Sequence, residues 1–324
     1  MRISRREFLR VCSGSAVALG LGLQDLQRLE AALAGPGVPT LIWLHGSGCQ
    51  GDSISFLNLF ADLEPVGQVT ASSVLTQDVN LAFHTVLMAS AGPDAVTMAE
   101  VAQAKGGHVL VLEGGVPRAF AGRACVVQAV AGQEVTYEQA IARYGQGAKA
   151  VLCVGTCAAY GGVPRSSQDP AEPNGPTDVI SGKEAVQAAG LSIPLVINVP
   201  GCPAHPAWVT WTVVQLILGN PIALDPFDRP VALYGNKTVD ASLLNVHANC
   251  PRNPDLTVST LATAFGQDHR CLSDLGCRGP LTYADCPSRQ WNSGENGPVN
   301  WCVDANAMCL GCVEPDFPNG RFYT

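Results

Sequence analysis

The sequence predicts an α/β protein: a flavodoxin-like, doubly wound parallel sheet followed by a smaller and irregular C-terminal domain. Two observations lead to this prediction. Short apolar runs alternate with helical patterns up to Tyr234, and from Gly235 onward apolar runs become few while cysteines become frequent. The 324-residue chain is 47% hydrophobic and only 14% charged, so it contains enough apolar material for a sizeable core.

The first 34 residues have the order of features found in an export signal. Residues 4–10 are basic and include Arg5-Arg6, residues 11–23 are apolar, and Ala32-Leu33-Ala34 is a small-residue cleavage site. We therefore expect a twin-arginine signal, residues 1–34, on a protein exported to the periplasm or the outer face of the cytoplasmic membrane. Since that route carries folded proteins, it suits a chain that receives a cofactor before export. A basic amphipathic helix at an ordinary amino terminus is the alternative.

Four apolar runs are typical of the buried strands of a parallel sheet, and each is followed by a glycine-containing loop. They lie at residues 40–44, 108–112, 150–154 and 195–199. Helical patterns are found around residues 53–61, 137–144, 182–189 and 208–218. Ligands of such sheets bind beyond the carboxyl ends of the strands, where the sequence has Cys49, Glu113, Cys157 and Cys202.

The change in composition predicts two domains after the signal, residues 35–235 and residues 236–324. Seven cysteines fall between Cys250 and Cys312, among many Asn, Pro, Gly and Asp residues. Apolar burial alone cannot stabilise a segment of this composition. Disulfides or metal must therefore contribute to the stability of the second domain.

Charge and hydropathy exclude two classes of interaction. The formal net charge of -8 and a pI near 5.2 argue against nucleic acid and anionic membranes, which select clustered Lys and Arg. Beyond Gly35 no uninterrupted apolar run reaches the roughly 18 to 20 residues that a membrane-spanning helix needs. We expect no transmembrane segment after the signal, so that any attachment to a membrane would come through partners.

The chemistry of the cysteines leaves three alternatives open. Removal of the signal takes Cys12 with it and leaves twelve of the thirteen cysteines, enough for six disulfides in an oxidising compartment. The two-residue gap of Cys309-Leu310-Gly311-Cys312 suits two thiolates on one metal centre better than a disulfide. Zinc sites usually show paired short spacings, whereas most cysteines here stand one to a loop. The spacing of the cysteines and the export route favour iron-sulfur clusters over the disulfides of a secreted binding protein. Zinc sites are the least favoured of the three alternatives.

Several motifs, in order along the mature chain, resemble the small subunits of nickel-iron hydrogenases. The first half has Trp43-Leu44-His45-Gly46 leading to Cys49, then Glu113-Gly114-Gly115-Val116-Pro117, Gly155-Thr156-Cys157 and Pro200-Gly201-Cys202-Pro203. The second half has His247-Ala248-Asn249-Cys250, Cys271, Gly276-Cys277-Arg278-Gly279-Pro280, Cys286-Pro287, Cys302 and Cys309-Leu310-Gly311-Cys312. Each motif is modest alone, but together they cover essentially the whole mature length.

The resemblance implies an electron-transfer subunit of a hydrogenase. Hydrogen would be split into protons and electrons at a nickel-iron site on a separate large subunit, and this chain would carry the electrons outward. It implies no catalytic residue in this chain and a heterodimer, or a dimer of heterodimers, with the large subunit. The external electron acceptor would be a cytochrome or a membrane quinone-linked protein. The alternative function for this chain is that of a free-standing ferredoxin-like electron carrier.

By resemblance, the ligands sort into three iron-sulfur clusters, all expected to be 4Fe-4S. The proximal cluster, nearest the catalytic partner, would be held by Cys49, Asp52, Cys157 and Cys202. The medial cluster would be held by Cys286, Cys302, Cys309 and Cys312. The distal cluster would be held by His247, Cys250, Cys271 and Cys277, where the neutral imidazole reduces the negative charge on the iron and would raise the potential.

The departures from the family pattern bear on cluster type. Asp52 replaces the usual fourth proximal cysteine, as in some branches described as oxygen-insensitive, and Gly48 replaces a glutamate. A carboxylate oxygen could bind iron there, but Asp52 could instead be the N-cap of the helix at 53–61. Cys302 stands where many relatives have proline and a 3Fe-4S centre. Glycine occupies both positions at which other relatives carry extra proximal cysteines, Gly51 and Gly162.

Five further residues are assigned to no cluster. Cys125 and Cys153 lie in apolar sequence and are expected to be buried, inert thiols. His45 and His205 are expected to be hydrogen-bonded structural histidines rather than ligands. Glu113, at the end of a predicted strand, is expected at an interface or in a hydrogen-bonding role.

Overall fold

The computed structural model describes residues 24, 28, 40–61, 80–130, 132–167, 169, 171–235, 245–254, 260–267, 269–291 and 300–318. Except for residues 24 and 28, the predicted twin-arginine signal and its cleavage site lie outside these ranges. None of the helices within the ranges combines the length and the apolar character that a membrane crossing requires.

Five parallel strands form the central sheet. They are β1 (Thr40–His45), β2 (Asn80–His84), β3 (Val109–Glu113), β4 (Ala150–Val154) and β5 (Val196–Val199), in the spatial order β2-β1-β3-β4-β5. This is the strand order of flavodoxin-like folds, with the switch point between β1 and β3. The predicted fold class is confirmed. Of the five strands, only β2 had no counterpart in the prediction.

Helices cover both faces of the sheet. They are α1 (Gly51–Ala61), α2 (Gly92–Lys105), α3 (Tyr137–Tyr144), α4 (Gly155–Tyr160), α5 (Gly162–Arg165), α6 (Gly182–Ala188), α7 (Pro206–Leu218) and α8 (Val231–Tyr234). Two short antiparallel pairs accompany them, Val116–Pro117 with Val179–Ile180 and Val126–Val130 with Gln133–Thr136. The helices predicted at 53–61, 137–144, 182–189 and 208–218 correspond to α1, α3, α6 and α7.

Successive strand residues point to opposite faces, and each face builds its own core. Trp43 and Leu152 pack on the side of α1 and α7. Ile42 and Leu110 pack on the side of α2, α3 and α6. Because both faces are buried, the strands are nearly continuous apolar runs, as parallel strands covered by helices usually are.

The strand register brings the loops at one edge of the sheet to the same level. His45 of β1 is aligned with Glu113 of β3, and Glu113 is aligned with Val154 of β4. The residues that follow these three strands therefore emerge side by side at the carboxyl edge. This edge is where ligands of doubly wound sheets bind.

Regular structure becomes sparse after α8. The described ranges there contain two 3-10 turns (Ser273–Leu275 and Gly279–Leu281), the short helix α9 (Cys286–Arg289) and isolated bridges. The buried side chains of this segment continue the core on the α1 and α7 side of the sheet: Val246, Cys250, Ala284, Cys286, Trp301, Val303, Cys309 and Val313. The irregular C-terminal segment thus packs on the sheet through cysteines as well as through apolar residues.

Candidate metal centres

The loops after β1, β4 and β5 bring three of the predicted proximal residues together. Cys49 follows β1, Cys157 lies in α4 directly after β4, and Cys202 follows β5. Burial, and then the charges of Cys202, Asp52 and Cys49, raises the pKa of the Cys157 thiol to about 12. Burial, with the charges of Asp52 and Cys49, likewise raises the pKa of Cys202 to about 11. The four predicted proximal residues therefore lie within interaction distance of one another.

The carboxylate of Asp52 points from helix α1 toward the loops that carry Cys157 and Cys202. Asp52 is 9% exposed and lies in the first turn of α1. Its Oδ1 accepts a hydrogen bond from the Ala204 amide at 2.6 Å. A Cβ on Gly155 would lie 2.0 Å from Oδ2, so the carboxylate rests directly against the Gly155 α-carbon. The N-cap alternative is wrong, because the side chain binds the loops that carry Cys157 and Cys202 instead of capping α1.

The charge of Asp52 has little compensation from the protein. Burial, and then the charge of Glu113, raises the pKa of Asp52 to about 7, while the Ala204 amide acts in the opposite direction. The described groups that act on it include no arginine and no lysine. A buried carboxylate in such surroundings is stabilised by a cation.

Two glycines leave room for the sulfurs of the proximal group. A Cβ on Gly51 would lie 3.0 Å from the sulfur of Cys49, and a Cβ on Gly162 would lie 3.0 Å from the sulfur of Cys157. Gly162 also has a φ of 51°, a left-handed backbone that glycine adopts most readily. Gly51 and Gly162 therefore flank the proximal group.

The four predicted medial cysteines also form one group. Cys286 opens α9, and Cys302, Cys309 and Cys312 follow in the irregular segment. Burial, and then the charges of Cys312, Cys309, Asp285 and Cys302, raises the pKa of Cys286 well above its usual value. Because all three other cysteines act on Cys286, it lies among the rest of the group.

The predicted distal residues gather around one turn. Burial raises the pKa of Cys250, and the charges of Cys277 and Cys271 act in the same direction. The Cys250 amide donates to the His247 carbonyl at 3.1 Å. A Cβ on Gly279 would lie 3.4 Å from the His247 amide and 3.5 Å from the Cys277 sulfur, so Gly279 lies between these two residues.

Direct contacts connect the three groups in sequence. Burial raises the pKa of Cys312 well above its usual value, and the charge of Cys202 acts in the same direction, so the proximal group lies beside the medial group. The Arg278 amide, beside Cys277, donates to the Cys309 carbonyl at 2.7 Å, which joins the medial group to the distal group. Thr156 strengthens the first junction, since its hydroxyl donates to the Cys312 carbonyl and accepts from the Gly201 amide at 2.9 Å.

Within the described ranges no disulfide joins the cysteines of these groups. The twelve cysteines in the described ranges are all free thiols. Within the same ranges no three His, Cys, Asp or Glu side chains converge as they would on one metal ion. The disulfide alternative therefore does not correspond to this structure.

The residues assigned to no cluster have local roles. Cys153 is fully buried, and burial raises its pKa to about 12, so the prediction that this thiol is buried is confirmed. Cys125 is only partly buried, because it lies where the chain enters an exposed hairpin. His205 is the N-cap of α7, and its Nε2 lies 2.7 Å from the Gln290 carbonyl, as a structural histidine would. The Nε2 of His45 is buried without a hydrogen-bond partner among the described residues.

Sequence reasoning missed a buried ion cluster beside the medial group. The Nε of Arg229 is 2.8 Å from Asp225 Oδ2, and its Nη1 is 3.3 Å from Glu314 Oε1, with all three side chains nearly inaccessible. Arg229 Nη1 also donates to the Val313 carbonyl at 3.1 Å, next to Cys312. An Asp and an Arg four residues apart in a loop gave no signal in the sequence.

Comparison with known proteins decides the family. A family described as NADH ubiquinone oxidoreductase, 20 Kd subunit, matches residues 49–216, and one described as the C-terminal part of the NiFe/NiFeSe hydrogenase small subunit matches residues 244–323. The periplasmic [NiFeSe] hydrogenase small subunit of Desulfomicrobium baculatum is 35% identical over 99% of this chain and 98% of its own length. The chain belongs to the nickel-iron hydrogenase small subunits.

Other hydrogenase small subunits agree in sequence and structure. The periplasmic [NiFe] hydrogenase small subunit of Solidesulfovibrio fructosivorans is 32% identical over 97% of this chain and 90% of its own length. A chain of the recombinant [NiFeSe] hydrogenase from Desulfovibrio vulgaris Hildenborough superposes with a TM-score of 0.74 at 36% identity, covering 90% of this chain and 99% of that one.

Membership of the family settles the broad function. Hydrogenase small subunits contain iron-sulfur clusters, act as the electron-transfer subunits of these oxidoreductases, and pair with a large subunit that holds the nickel-iron site. The predicted family, electron-transfer function and enzyme class are therefore confirmed.

Proposed function

We propose that this hydrogenase small subunit relays electrons through three iron-sulfur clusters between its large subunit and an external acceptor. One observation carries the proposal: neighbouring cysteine groups touch. The Thr156 hydroxyl, beside Cys157, donates to the Cys312 carbonyl, and the Arg278 amide, beside Cys277, donates to the Cys309 carbonyl at 2.7 Å. Consecutive groups are therefore joined by hydrogen bonds between residues that are, or directly adjoin, the cysteines of each group.

The proposed ligands are those that the family pattern implies. The proximal set is Cys49, Asp52, Cys157 and Cys202, and the medial set is Cys286, Cys302, Cys309 and Cys312. The distal set is His247, Cys250, Cys271 and Cys277. Since each set offers four donors, we propose that all three clusters are 4Fe-4S.

Unpaired donors support cluster binding at the medial and distal groups. The indole N–H of Trp301, beside Cys302, and Nη1 of Arg278, beside Cys277, are buried without a hydrogen-bond partner among the described residues. Buried donors are rarely left unpaired, and the sulfurs of a cluster would accept these hydrogen bonds. The residues present therefore fit the cofactor that the family contains.

Each cluster, when bound, accepts and releases one electron at a time. The protein residues would hold the clusters in a fixed order and donate hydrogen bonds that tune the potentials. Arg229, paired with Asp225 and Glu314, donates to the Val313 carbonyl and so fixes the backbone next to Cys312. His247 would replace a thiolate at the distal end, where a less negative ligand set raises the potential.

The exposed face of the proximal group is proposed as the face that meets the large subunit. Cys49 and Cys202 are exposed, although a cluster at this position has to be shielded from water. Ile54 of α1 and Val163 of α5 are 58% and 53% exposed on elements that carry the same group. A partner that covers these residues would bury both the apolar side chains and the cluster.

Export, acceptor and domain division complete the proposal. The D. baculatum and S. fructosivorans relatives are named as periplasmic, which supports export of this chain to the periplasm or the outer face of the cytoplasmic membrane. We propose the twin-arginine route on the basis of Arg5-Arg6 and the apolar run that follows. We propose a cytochrome or a membrane quinone-linked protein as the acceptor at the distal end. The sheet domain, residues 35–235, would hold the proximal cluster, and residues 236–324 would hold the other two.

The test replaces Asp52 in the heterodimer purified without oxygen. Asp52→Asn removes the charge but keeps the shape, so the proximal cluster should be lost or show a changed electron paramagnetic resonance spectrum. Asp52→Cys should restore a cluster with a more negative potential, because thiolate donates more charge to iron than carboxylate does.

The matched control is Asp178→Asn. Asp178 is an aspartate of the same domain whose side chain is 44% exposed in an ion pair with Arg118. This variant should leave all three clusters unchanged. If the proximal spectrum of Asp52→Asn were also identical to that of the unmodified protein, Asp52 would not be a ligand.

A further inference from the structure

Glu113, at the carboxyl end of β3, accepts hydrogen bonds from two other elements beside the proximal group. It is 1% exposed. Its Oε1 accepts from the amides of Asp52 and Ser53 at 3.2 and 3.1 Å. Its Oε2 accepts from the indole N–H of Trp43 at 3.0 Å and from the hydroxyl of Ser53. All four of these partners are donors, which is the environment of an ionised carboxylate.

His84 fixes the direction of the chain of hydrogen bonds that ends on Glu113. Its Nδ1 accepts from the amides of Val86 and Leu87 at 3.1 and 3.2 Å, so the ring hydrogen must be on Nε2. That nitrogen lies 3.2 Å from the hydroxyl of Ser53, which it donates to. Ser53 consequently donates its own hydrogen to Glu113. Burial lowers the pKa of His84 to about 4, consistent with a neutral ring.

The two amides that Glu113 binds belong to the first turn of α1. Amides in a first turn have no partner within their own helix, and a negative charge placed there is stabilised by the helix dipole. Glu113 therefore anchors α1 from a neighbouring strand. Asp52, the residue whose amide is bound, is the same residue whose carboxylate reaches Ala204 and Gly155.

We propose that Glu113 is a positioning residue for the proximal cluster: it fixes the first turn of α1 so that the Asp52 carboxylate faces Cys157 and Cys202, and its buried negative charge lowers the potential of the cluster. This inference rests on the proposed role of Asp52 as a ligand. The effect on potential follows because an anion held near a cluster disfavours the addition of an electron.

The experiment is a redox titration of the heterodimer carrying Glu113→Gln, followed by electron paramagnetic resonance. The proximal midpoint potential should rise, and the proximal spectrum should change, because the amide removes the charge and cannot accept all four hydrogen bonds. The medial and distal clusters of the same sample serve as internal references, and their midpoint potentials and spectra should not change. A change in folding alone would not shift one cluster of three.

The matched control is Glu184→Gln. Glu184 also accepts an amide at a helix start, that of Ser181 at 2.7 Å, but in the capping box of α6. This variant should leave the proximal potential unchanged. If Glu113→Gln gives too little complex, Ser53→Ala is the second variant, because it removes the hydroxyl that donates to Glu113 and keeps the Glu113 charge. In Ser53→Ala the spectrum of the proximal cluster should change, and the spectra of the medial and distal clusters should not.

The outcomes separate this inference from the proposal on which it rests. An unchanged proximal potential and spectrum in Glu113→Gln, or an unchanged spectrum in Ser53→Ala where only that variant assembles, would overturn the role of Glu113. If Asp52→Asn changed the proximal spectrum in the same experiments, ligation by Asp52 would stand without it. If Asp52→Asn changed nothing, ligation by Asp52 would fail and the positioning role would fail with it.

Discussion

The two halves of this subunit hold their cysteines in opposite ways. In the sheet half, Cys49 and Cys202 are exposed on loops that follow strands of the sheet. Trp43, Ile42 and their neighbours form the apolar cores on the two faces of that sheet without these cysteines. In the C-terminal half, cysteines such as Cys286 are themselves buried in the core. The proximal site is thus an addition to a fold that is already packed, whereas the C-terminal segment has a core only if its cysteines are held together.

The largest expected effect is the response to removal of iron and sulfide. The C-terminal ranges 245–254 and 300–318 should lose protection from hydrogen exchange by roughly two orders of magnitude or more, because metal binding supplies folding free energy in segments of this kind. The strands β1, β3 and β4 should keep their protection from hydrogen exchange. Hydrogen exchange measured by mass spectrometry on the complex before and after chelation provides the comparison.

Equal loss of protection in both halves would contradict this distinction. The internal control is the core of the α2, α3 and α6 face, for example the amide of Ile141, whose side chain packs on the side of the sheet away from the C-terminal segment. Protection there should be the same with and without iron.

The second prediction concerns the junction between the halves. Arg229→Met leaves Asp225 and Glu314 buried without their partner and should destabilise the protein by about 3 to 5 kcal/mol. Denaturant unfolding of the complex should show the loss first in the C-terminal segment. The control Arg118→Met breaks an ion pair that is exposed on both sides and should cost less than about 1 kcal/mol. Similar losses in the two variants would mean that the buried cluster does not hold the halves together.

The third prediction changes one cluster and leaves the fold intact. Cys302→Pro removes a thiol that interacts with Cys286, Cys309 and Cys312, and should convert the medial centre to 3Fe-4S. The paramagnetic signal of a 3Fe-4S centre should appear, with about one iron lost per chain. Cys125→Ala, which removes a cysteine from a partly buried hairpin position, should leave the iron content unchanged. An unaltered medial signal in Cys302→Pro would remove Cys302 from the ligand set.

The smallest expected effect is at Cys153, a buried cysteine of the sheet half. Cys153→Ala should leave every cluster signal unchanged and destabilise the protein by about 1 kcal/mol through the loss of one buried sulfur. Thermal unfolding and iron analysis of the same preparation would check both parts. A loss of iron would show that the separation between packing cysteines and cluster cysteines is wrong.

Parts of the fold could be predicted because their signals are local. The strands at 40–45, 109–113, 150–154 and 196–199 each contain a short apolar run, and α3 begins with a capping box formed by Thr136 and Gln139, three residues apart. Helix α2 was missed because its buried face consists largely of Ala95, Ala99 and Ala102, so that the contrast between its faces is weak. Strand β2 was missed because it is short and begins with an exposed Asn80.

The candidate site likewise has residues that local sequence motifs predict and residues that they do not. The cysteines and His247 could be named in advance because their motifs are contiguous in the sequence. The surroundings of Asp52 could not, because Ala204, Gly155 and Glu113 reach it from separate loops and strands. The same holds for Arg229, whose partner Glu314 lies in the other half of the chain. Long-range contacts of this kind follow from the packing of the fold and leave no local pattern.

The central claim is that three complete clusters line this chain, and the most direct measurement is iron and acid-labile sulfide in the heterodimer purified without oxygen. After correction for one iron on the large subunit, we expect about twelve irons and about twelve sulfides per small subunit, four of each per cluster. About eleven irons or fewer would contradict the roles of Asp52 or Cys302. The absence of iron and sulfide would contradict the relay altogether.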